Sequence, residues 1–532
     1  MTIRAWRRHR YDIFTPAMGQ EVELKILLGE GGANRLRDRA AALAADGEKP
    51  KNQTLRAVYY DTVDRRLARA GLALRVRREG RRWVQTVKAS TGITGGLSRS
   101  AECEAPAPGG RLDLDLIGEA ALRAAVDEAL SGAPLSPAFE TDFKRATLLL
   151  AGPHGGVVEL ALDAGAIRAG GRDAAMEEAE FELKSGDARD LFAVAKTLFD
   201  AGPVRFSRRN KAARGFALAD GRAAVLDPPP VIHAPPARLS RGMTTEAAAR
   251  DVLRACFDQI AANVAAAALG DDPEAAHQLR VGLRRFRTAA SLFRDALAAP
   301  ALEALSAEAK ALAAAAGAAR DLDVLGDEML APLADREPGA APLAAAVAER
   351  RDAARAALKA RLAAPETAGF VFDFGAFVEG RGWLRPGDFG QTEALAAPVE
   401  DAAAKALEKR WRSAAKLGAK LDGLDDEARH ELRKRLKKLR YAMEFFADLW
   451  PGKAVKPALK SLKTLQEDFG ALQDVATARA ILTGPDAPAA DDPAAQRAVG
   501  YALGLWDAQA AAARARASAH WKALDAARRY WR

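Results

Sequence analysis

The sequence predicts two folded bodies of different class: a β-rich antiparallel half with a few helices, followed by an all-helical half built as two related bundles. Three observations predict this. From about residue 20 to 220, short runs such as ALRVR, WVQTVK, VVELALD and EAEFELK alternate apolar with polar residues between Gly-rich turns such as STGITGG, the pattern of antiparallel strands. After residue 242 the chain changes to long Ala, Leu, Arg and Glu tracts of helical periodicity, rich in strong helix formers. Within that half, HQLRVGLRRFRTAASLF from His277 aligns without a gap on HELRKRLKKLRYAMEFF from His430, an offset of 153.

Taken in chain order, residues 1–18 form an N-terminal extension. Its basic segment WRRHRYDIF is followed by no apolar core or cleavage site, so an export signal is not expected, and Met18 is a second candidate start beside Met1. The strand-rich domain occupies 19–222, with helices expected near 31–45, 119–130 and 188–199. A linker spans 223–242, because the prolines of DPPPVIHAPPARLSRG cannot continue a helix or a central strand. The helical domain occupies 243–532, with repeat halves at about 243–363 and 395–525. Between them APETAGFVFDFGAF and RGWLRPGDFG interrupt the pattern. The same offset pairs Asp272 and Glu274 with Asp425 and Glu427, and Gly317, Ala318 and Asp321 with Gly470, Ala471 and Asp474, which is a duplication.

At 532 residues, 49% hydrophobic and 28% charged, the chain is long enough for several globular domains. No run approaches the roughly 18 apolar residues of a membrane span, so no membrane partner is expected. Cys103 and Cys256 stand far apart without His or Cys at ligand spacing. That excludes a disulfide framework and a zinc site and fits a reducing cytoplasm. The net charge of +9 matters only where it is concentrated.

The concentration begins on the strands. In EVELK, Glu21, Glu23 and Lys25 share one face and Val22 and Leu24 the other. One such strand is ordinarily the solvated face of a sheet. Here Glu178, Glu180, Glu182 and Lys184 repeat the arrangement, Glu159 and Asp163 add a second acidic face, and Arg75, Arg77, Lys88 and Arg145 supply basic ones. Carboxylates two residues apart on a strand repel unless a cation intervenes. Mg²⁺ takes such oxygens together with substrate phosphates, and Arg and Lys hold the phosphates directly.

These blocks resemble the CYTH domain, the adenylyl cyclase and thiamine triphosphatase group also called triphosphate tunnel metalloenzymes. Beside EVELK, the matching segments are YYDT from Tyr59, LRVR from Leu74, QTVK from Gln85, FETDFKR from Phe139, ELALDAG from Glu159, EFELK from Glu180 and KAARGF from Lys211. The resemblance implies an eight-stranded antiparallel tunnel that cleaves a terminal phosphoanhydride with Mg²⁺ or Mn²⁺. It implies Glu21, Glu23, Asp163, Glu180 and Glu182 as metal ligands, with Glu159 and Glu178 next to that set. Lys25, Arg75, Arg77, Lys88, Arg145, Lys184 and Lys211 would bind triphosphate, and Glu21, Glu23 and Lys25 would be catalytic. The same tunnel serves inorganic triphosphate, thiamine triphosphate or ATP.

In the helical half, Asp272 and Pro273 mark a helix start. From His430, Arg433, Lys434, Lys437, Lys438 and Tyr441 form one stripe, and Leu432, Leu436, Leu439, Met443 and Phe446 the opposite one. Arg280, Arg284 and Arg285 repeat the basic stripe after His277. Arg433 to Arg440 contains no acidic residue, so these cations repel one another until an anion arrives. The blocks HxxR at His277 and His430, GAARDLD from Gly317 and LQEDFG from Leu465 resemble the CHAD domain, the conserved histidine α-helical domain. That implies pseudo-twofold bundles binding inorganic polyphosphate through His277, Arg280, Arg284, Arg285, Arg287, His430, Arg433, Lys434, Lys437, Lys438 and Arg440. Gln473 replaces Arg320 in the second copy, so unequal roles are expected for that pair.

The expected activity is metal-dependent hydrolysis of inorganic triphosphate or short-chain polyphosphate, in a cytoplasmic enzyme tethered near polyphosphate granules. The competing expectation is a polyphosphate-binding protein whose tunnel senses without cleaving. Nucleic acid ranks below both, because apart from Tyr441 the stripes lack aromatics for base stacking.

Overall fold

The computed structural model describes residues 20–44, 49–200 and 202–532. The extension at 1–18 and the choice between Met1 and Met18 lie outside the described residues. By contact the chain divides into one unit of residues up to Pro230 plus Ala364–Arg381, and a second of Val231–Ala363 plus Gly382–Arg532.

The first unit is a closed antiparallel barrel of eight strands: β1 (Gln20–Leu28), β2 (Lys51–Asp61), β3 (Leu72–Glu79), β4 (Arg82–Thr94), β5 (Leu97–Pro106), β6 (Ser136–Ala151), β7 (Val157–Ala169) and β8 (Arg172–Ser185). Their order is β5-β4-β3-β2-β6-β7-β8-β1, and β1 closes the ring on β5; the two-residue β9 (Arg205–Phe206) adds to β1. The usual arrangement of a small barrel is inverted. Leu24 and Ile26 are fully buried on the outer face of β1, while Glu23 and Lys25, 4% and 5% exposed, point into the lumen.

The apolar outer faces are covered by helices α1 (Gly32–Leu43), α2 (Ala120–Leu130), α3 (Arg189–Leu198) and α4 (Lys211–Ala219). Leu122, Val126 and Leu130 of α2 pack on Leu72, Leu74 and Val87. Asn210 caps α4 by accepting from the Ala213 amide at 2.8 Å, which puts Lys211 in the first turn. Gly215 then lets α4 press on Phe139, whose ring lies 2.3 Å from where a Cβ would stand.

The second unit is helical: α5 (Thr245–Leu269), α6 (Pro273–Leu292), α7 (Pro300–Asp323) and α8 (Ala340–Ala363) precede the interruption, and α10 (Val399–Gly418), α11 (Asp426–Phe445), α12 (Gly452–Thr483) and α13 (Pro493–Ala526) follow it. Matched aspartates cap the duplicated helices: Asp272 accepts from the Glu274 amide and Asp425 from the Ala428 amide, both at 2.8 Å. Phe293 and Phe446, equivalent across the repeat, meet edge to face with centroids 5.8 Å apart. Leu322, Leu343, Val347, Leu482, Val499 and Trp506 share one core across α7, α8, α12 and α13.

Two sequence expectations need correction. α5 is long and apolar enough to cross a membrane, although no such run was expected, and 78% of its most apolar stretch is buried inside the helical unit. The interruption holds helix α9 (Pro365–Glu379), which belongs by contact to the barrel unit. Phe370, Val371, Phe372, Phe374, Phe377 and Val378 are all buried, a broad apolar face, while Glu366 and Asp373 on the remaining face are exposed.

Candidate active site and a basic helical face

Alternation along the strands sends every second side chain into a lumen of about 360 Å³. Its wall includes Glu21, Glu23 and Lys25 of β1, Arg75 and Arg77 of β3, Lys88 of β4, Arg145 of β6, Glu159 of β7, and Glu180, Glu182 and Lys184 of β8, with Lys211 of α4. The structure thus brings together eleven of the twelve residues predicted for the tunnel; Asp163 does not line the cavity. It lies behind the wall, 1% exposed, gripped by Arg145 through two bonds of 2.7 and 2.6 Å and by Lys211 at 2.8 Å. Glu178, also off the wall, pairs with Arg214 at 2.9 Å and Lys211 at 3.2 Å.

Sequence reasoning missed Ser98, Ser100, Glu102 and Glu104 of β5. Ser98 donates to Glu23 at 3.0 Å and Ser100 to Glu21 at 3.1 Å. Glu102 lies 3.4 Å from Lys88 and 3.6 Å from Arg75. The signal was present in SRSAECEA, where Ser, Ser, Glu and Glu fall at every second position.

The deep charges are paired. Lys25 lies 2.8 Å from Glu23 and also pairs with Glu180, which accepts from Arg145 and Lys211 at 2.6 Å each. Burial by itself would lower the Lys25 ammonium, yet Glu180, Glu23 and Glu178 carry its pKa well above the usual value. Burial likewise opposes ionisation of Glu180, and Lys211, Lys25 and Arg145 outweigh it, holding the carboxyl well below its usual range.

Elsewhere like charges gather. Burial raises the Glu182 carboxyl above its usual range; Lys184 at 2.7 Å opposes the rise, while Glu21 and Glu159 add to it. Burial, then Arg75 and Arg145, lower the Arg77 guanidinium against the pull of Glu79 and Glu104. Among the described residues no three His, Cys, Asp or Glu side chains already converge on a metal-sized point. The Glu21, Glu159 and Glu182 cluster, with Glu23 beside it, nevertheless has the chemistry a divalent cation requires: hard oxygen donors whose mutual repulsion the ion would relieve.

The helical face is sorted in the same way. Arg280 pairs with Asp321 at 2.9 Å, in space that Gly317 leaves open. Burial, then Arg433, Arg284 and Arg280, push the Lys437 ammonium down to about 6. Burial, then Arg280, lower Arg284 to about 10, and burial lowers Arg433 as well. His277 is lowered by burial and by Arg320, Arg280 and Lys437, against Glu274. These residues act on one another and form the central cationic set. His430 is held by Gln473 while Arg320 pairs with Glu328 at 2.6 Å, so that duplicated pair does have unequal surroundings.

Five candidates, Arg285, Arg287, Lys434, Lys438 and Arg440, lie off this set. Arg285 is 4% exposed, bonded to Glu444 at 3.1 Å and laid over Phe445, so it is a packing residue between α6 and α11. Lys438 faces Arg410, Glu431, Arg287 and Lys434 on another flank of α11. Lys434 pairs with Glu431 at 2.8 Å. Arg440 rests over Tyr441 and lies 3.7 Å from Glu444, though it still acts on Lys437.

Comparison with known families gives the same partition: a CYTH domain model matches residues 19–216, and a CHAD domain model matches 251–483. The chain is a CYTH domain followed by a CHAD domain. An inorganic triphosphatase of Haemophilus influenzae is 33% identical over 202 residues, 38% of this chain and 55% of the relative, so the chain spans about half the length of the curated relative it matches. A solved CHAD domain of the plant Ricinus communis is 29% identical, covering 56% of this chain and 98% of that one, with a TM-score of 0.49. A Hippeastrum protein described as an adenylyl cyclase with dominant triphosphatase activity is 17% identical, covering 38% of this chain and 96% of that one, with a TM-score of 0.27. The CYTH match ends in α4 and leaves out α9, which packs with that domain from between the CHAD repeats.

Proposed function

We propose that the CYTH domain hydrolyses the terminal phosphoanhydride of inorganic triphosphate or short-chain polyphosphate with a divalent cation, Mg²⁺ or Mn²⁺, and that the CHAD domain binds polyphosphate. The observation that carries the first reading is one lumen lined by both guanidiniums and carboxylates, in which, beside their ion pairs, Arg75 and Arg145 disfavour the charge on Arg77 while Glu21 and Glu159 disfavour that on Glu182. A phosphate chain relieves the first repulsion and a divalent ion the second. The Haemophilus relative, named an inorganic triphosphatase, supports the same substrate.

In this reading Glu21, Glu23 and Glu182, with Glu159, hold the cation, while Asp163 and Glu180 serve the cations around them. The bound ion would neutralise phosphate oxygens and orient the chain for in-line attack. Arg75, Arg77 and Arg145 hold the phosphates, and Lys25, tied to Glu23 and Glu180, fixes those carboxylates. Water bonds the terminal phosphorus as the bridging P–O bond breaks, leaving orthophosphate and the shortened chain. A panel of triphosphate, ATP, thiamine triphosphate and long polyphosphate tests the substrate. Triphosphate is expected to be cleaved fastest, with all phosphate release lost on chelation and restored by Mg²⁺ or Mn²⁺. Binding of polyphosphate without release from any of the four would favour the sensing reading.

For the CHAD domain the supporting observation is Lys437, which burial and its cationic neighbours hold largely neutral at pH 7. A polyanion favours the charged form, so the bound pKa lies above the free value of about 6, and binding takes up a proton at neutral pH. Affinity for long polyphosphate is then expected to fall as pH rises above 6, and Lys437→Met to weaken binding roughly tenfold and reduce the uptake to what His277 contributes. Calorimetry at pH 7.5 in buffers of different ionisation enthalpy measures both. Through this binding the enzyme would be held at cytoplasmic polyphosphate granules.

A further inference from the structure

The barrel is completed by a helix that the chain supplies from between the two CHAD repeats. α9 is seated by Phe372, whose ring lies 5.9 Å from Phe199 and 5.7 Å from Phe206, and by Lys196, 2.6 Å from Asp373. Gly375 allows the contact, since a Cβ there would stand 2.2 Å from the Phe192 ring. Its last residue, Glu379, is 8% exposed and accepts from Arg99 at 2.7 Å. A buried carboxylate at a helix C-terminus faces the negative end of the helix dipole, so neither burial nor helix formation accounts for it. The Arg99 guanidinium offsets that cost from the barrel side.

Arg99 sits on β5 opposite Val22, between Ser98 opposite Glu23 and Ser100 opposite Glu21. Alternation sends Arg99 outward to Glu379 and its two neighbours inward, where their hydroxyls hold Glu23 and Glu21. The other flank of β1 is backed by the same helix, because Phe206, which packs on Phe372, pairs with Ile26.

We propose that Glu379 is a positioning residue of the CYTH domain. Through Arg99 it fixes the Ser98–Ser100 segment, and through those serines the orientation of the Glu21 and Glu23 carboxylates toward a divalent cation. The segment joining the CHAD repeats is thereby a working part of the tunnel. This rests on the phosphohydrolase reading above.

The test uses the full chain as wild type, Glu379→Gln, and the charge swap Arg99→Glu with Glu379→Arg. Mn²⁺ binding without substrate is followed by calorimetry, and triphosphate hydrolysis by kcat, KM and the Mg²⁺ concentration giving half-maximal rate. Glu379→Gln is expected to weaken Mn²⁺ binding and raise the Mg²⁺ requirement by on the order of tenfold. It should lower kcat with KM for triphosphate changed less than twofold, and the swap should recover most of the loss. Unchanged metal affinity in Glu379→Gln, with or without a lower Tm, overturns the proposal. If Glu379→Gln does not fold, the swap decides, since a folded swap that binds Mn²⁺ no better than a Glu21→Gln control overturns it too. Absence of hydrolysis in the wild type overturns the phosphohydrolase reading, while the Mn²⁺ titration still tests the positioning.

Discussion

Glu21→Gln should lower kcat for triphosphate by on the order of 10²-fold or more, with KM changed far less. The substitution keeps the shape of the side chain and its bond from Ser100, and removes one anionic donor from the Glu21, Glu159 and Glu182 cluster. It also removes the partner of Lys88, which retains Glu23 at 3.3 Å and Glu102 at 3.4 Å, so the barrel is expected to stay folded. Phosphate release from purified wild type and variant over a Mg²⁺ series measures the effect. A variant as fast as wild type at saturating Mg²⁺ would remove Glu21 from the site.

Arg214→Leu is expected to destabilise the barrel by about 3–5 kcal/mol, because Arg214 and Glu178 form an ion pair at 1% and 0% exposure, and the Glu178 carboxylate would lose its closest partner, leaving Lys211 at 3.2 Å and the more distant Lys25. In a domain of this size that is roughly a 10 °C fall in the first calorimetric transition. Adding Glu178→Leu should restore most of it, since two apolar side chains of similar volume can replace a buried pair at little cost. A double variant as unstable as the single one would show that the pair is not the source of the loss.

The barrel was legible because every strand repeats apolar and charged residues with period two. The resemblance to the tunnel family, not the period itself, put the charged face inside, and the lumen bears that out. A charged strand face suggests water, whereas here helices cover the apolar face and the ring closes over the charges. Asp163 shows the limit of the period, since alternation gives it the lumen side, and Arg145 and Lys211 stand in front of it. Arg284 and Arg285 show the same limit on a helix. A stripe read from spacing spans more than a third of the circumference, and one residue's rotation separates a surface cation from one packed against Glu444 and Phe445. The allegiance of α9 was not legible at all, because a broad apolar face marks a helix as buried without naming its neighbour.

The closure of the ring by β1 bears on how the site comes into being. β1 is the first strand in sequence, yet its partners β5 and β8 come much later, and β8 is the last long strand made. Pairing over such separations is the slow part of folding. Glu21, Glu23 and Lys25 therefore meet Ser98, Ser100 and Glu180 only when the seam shuts. A chain in which that seam is open presents these acidic and basic groups as separate strands, and the charged cavity is complete only once β1 has closed on both β5 and β8.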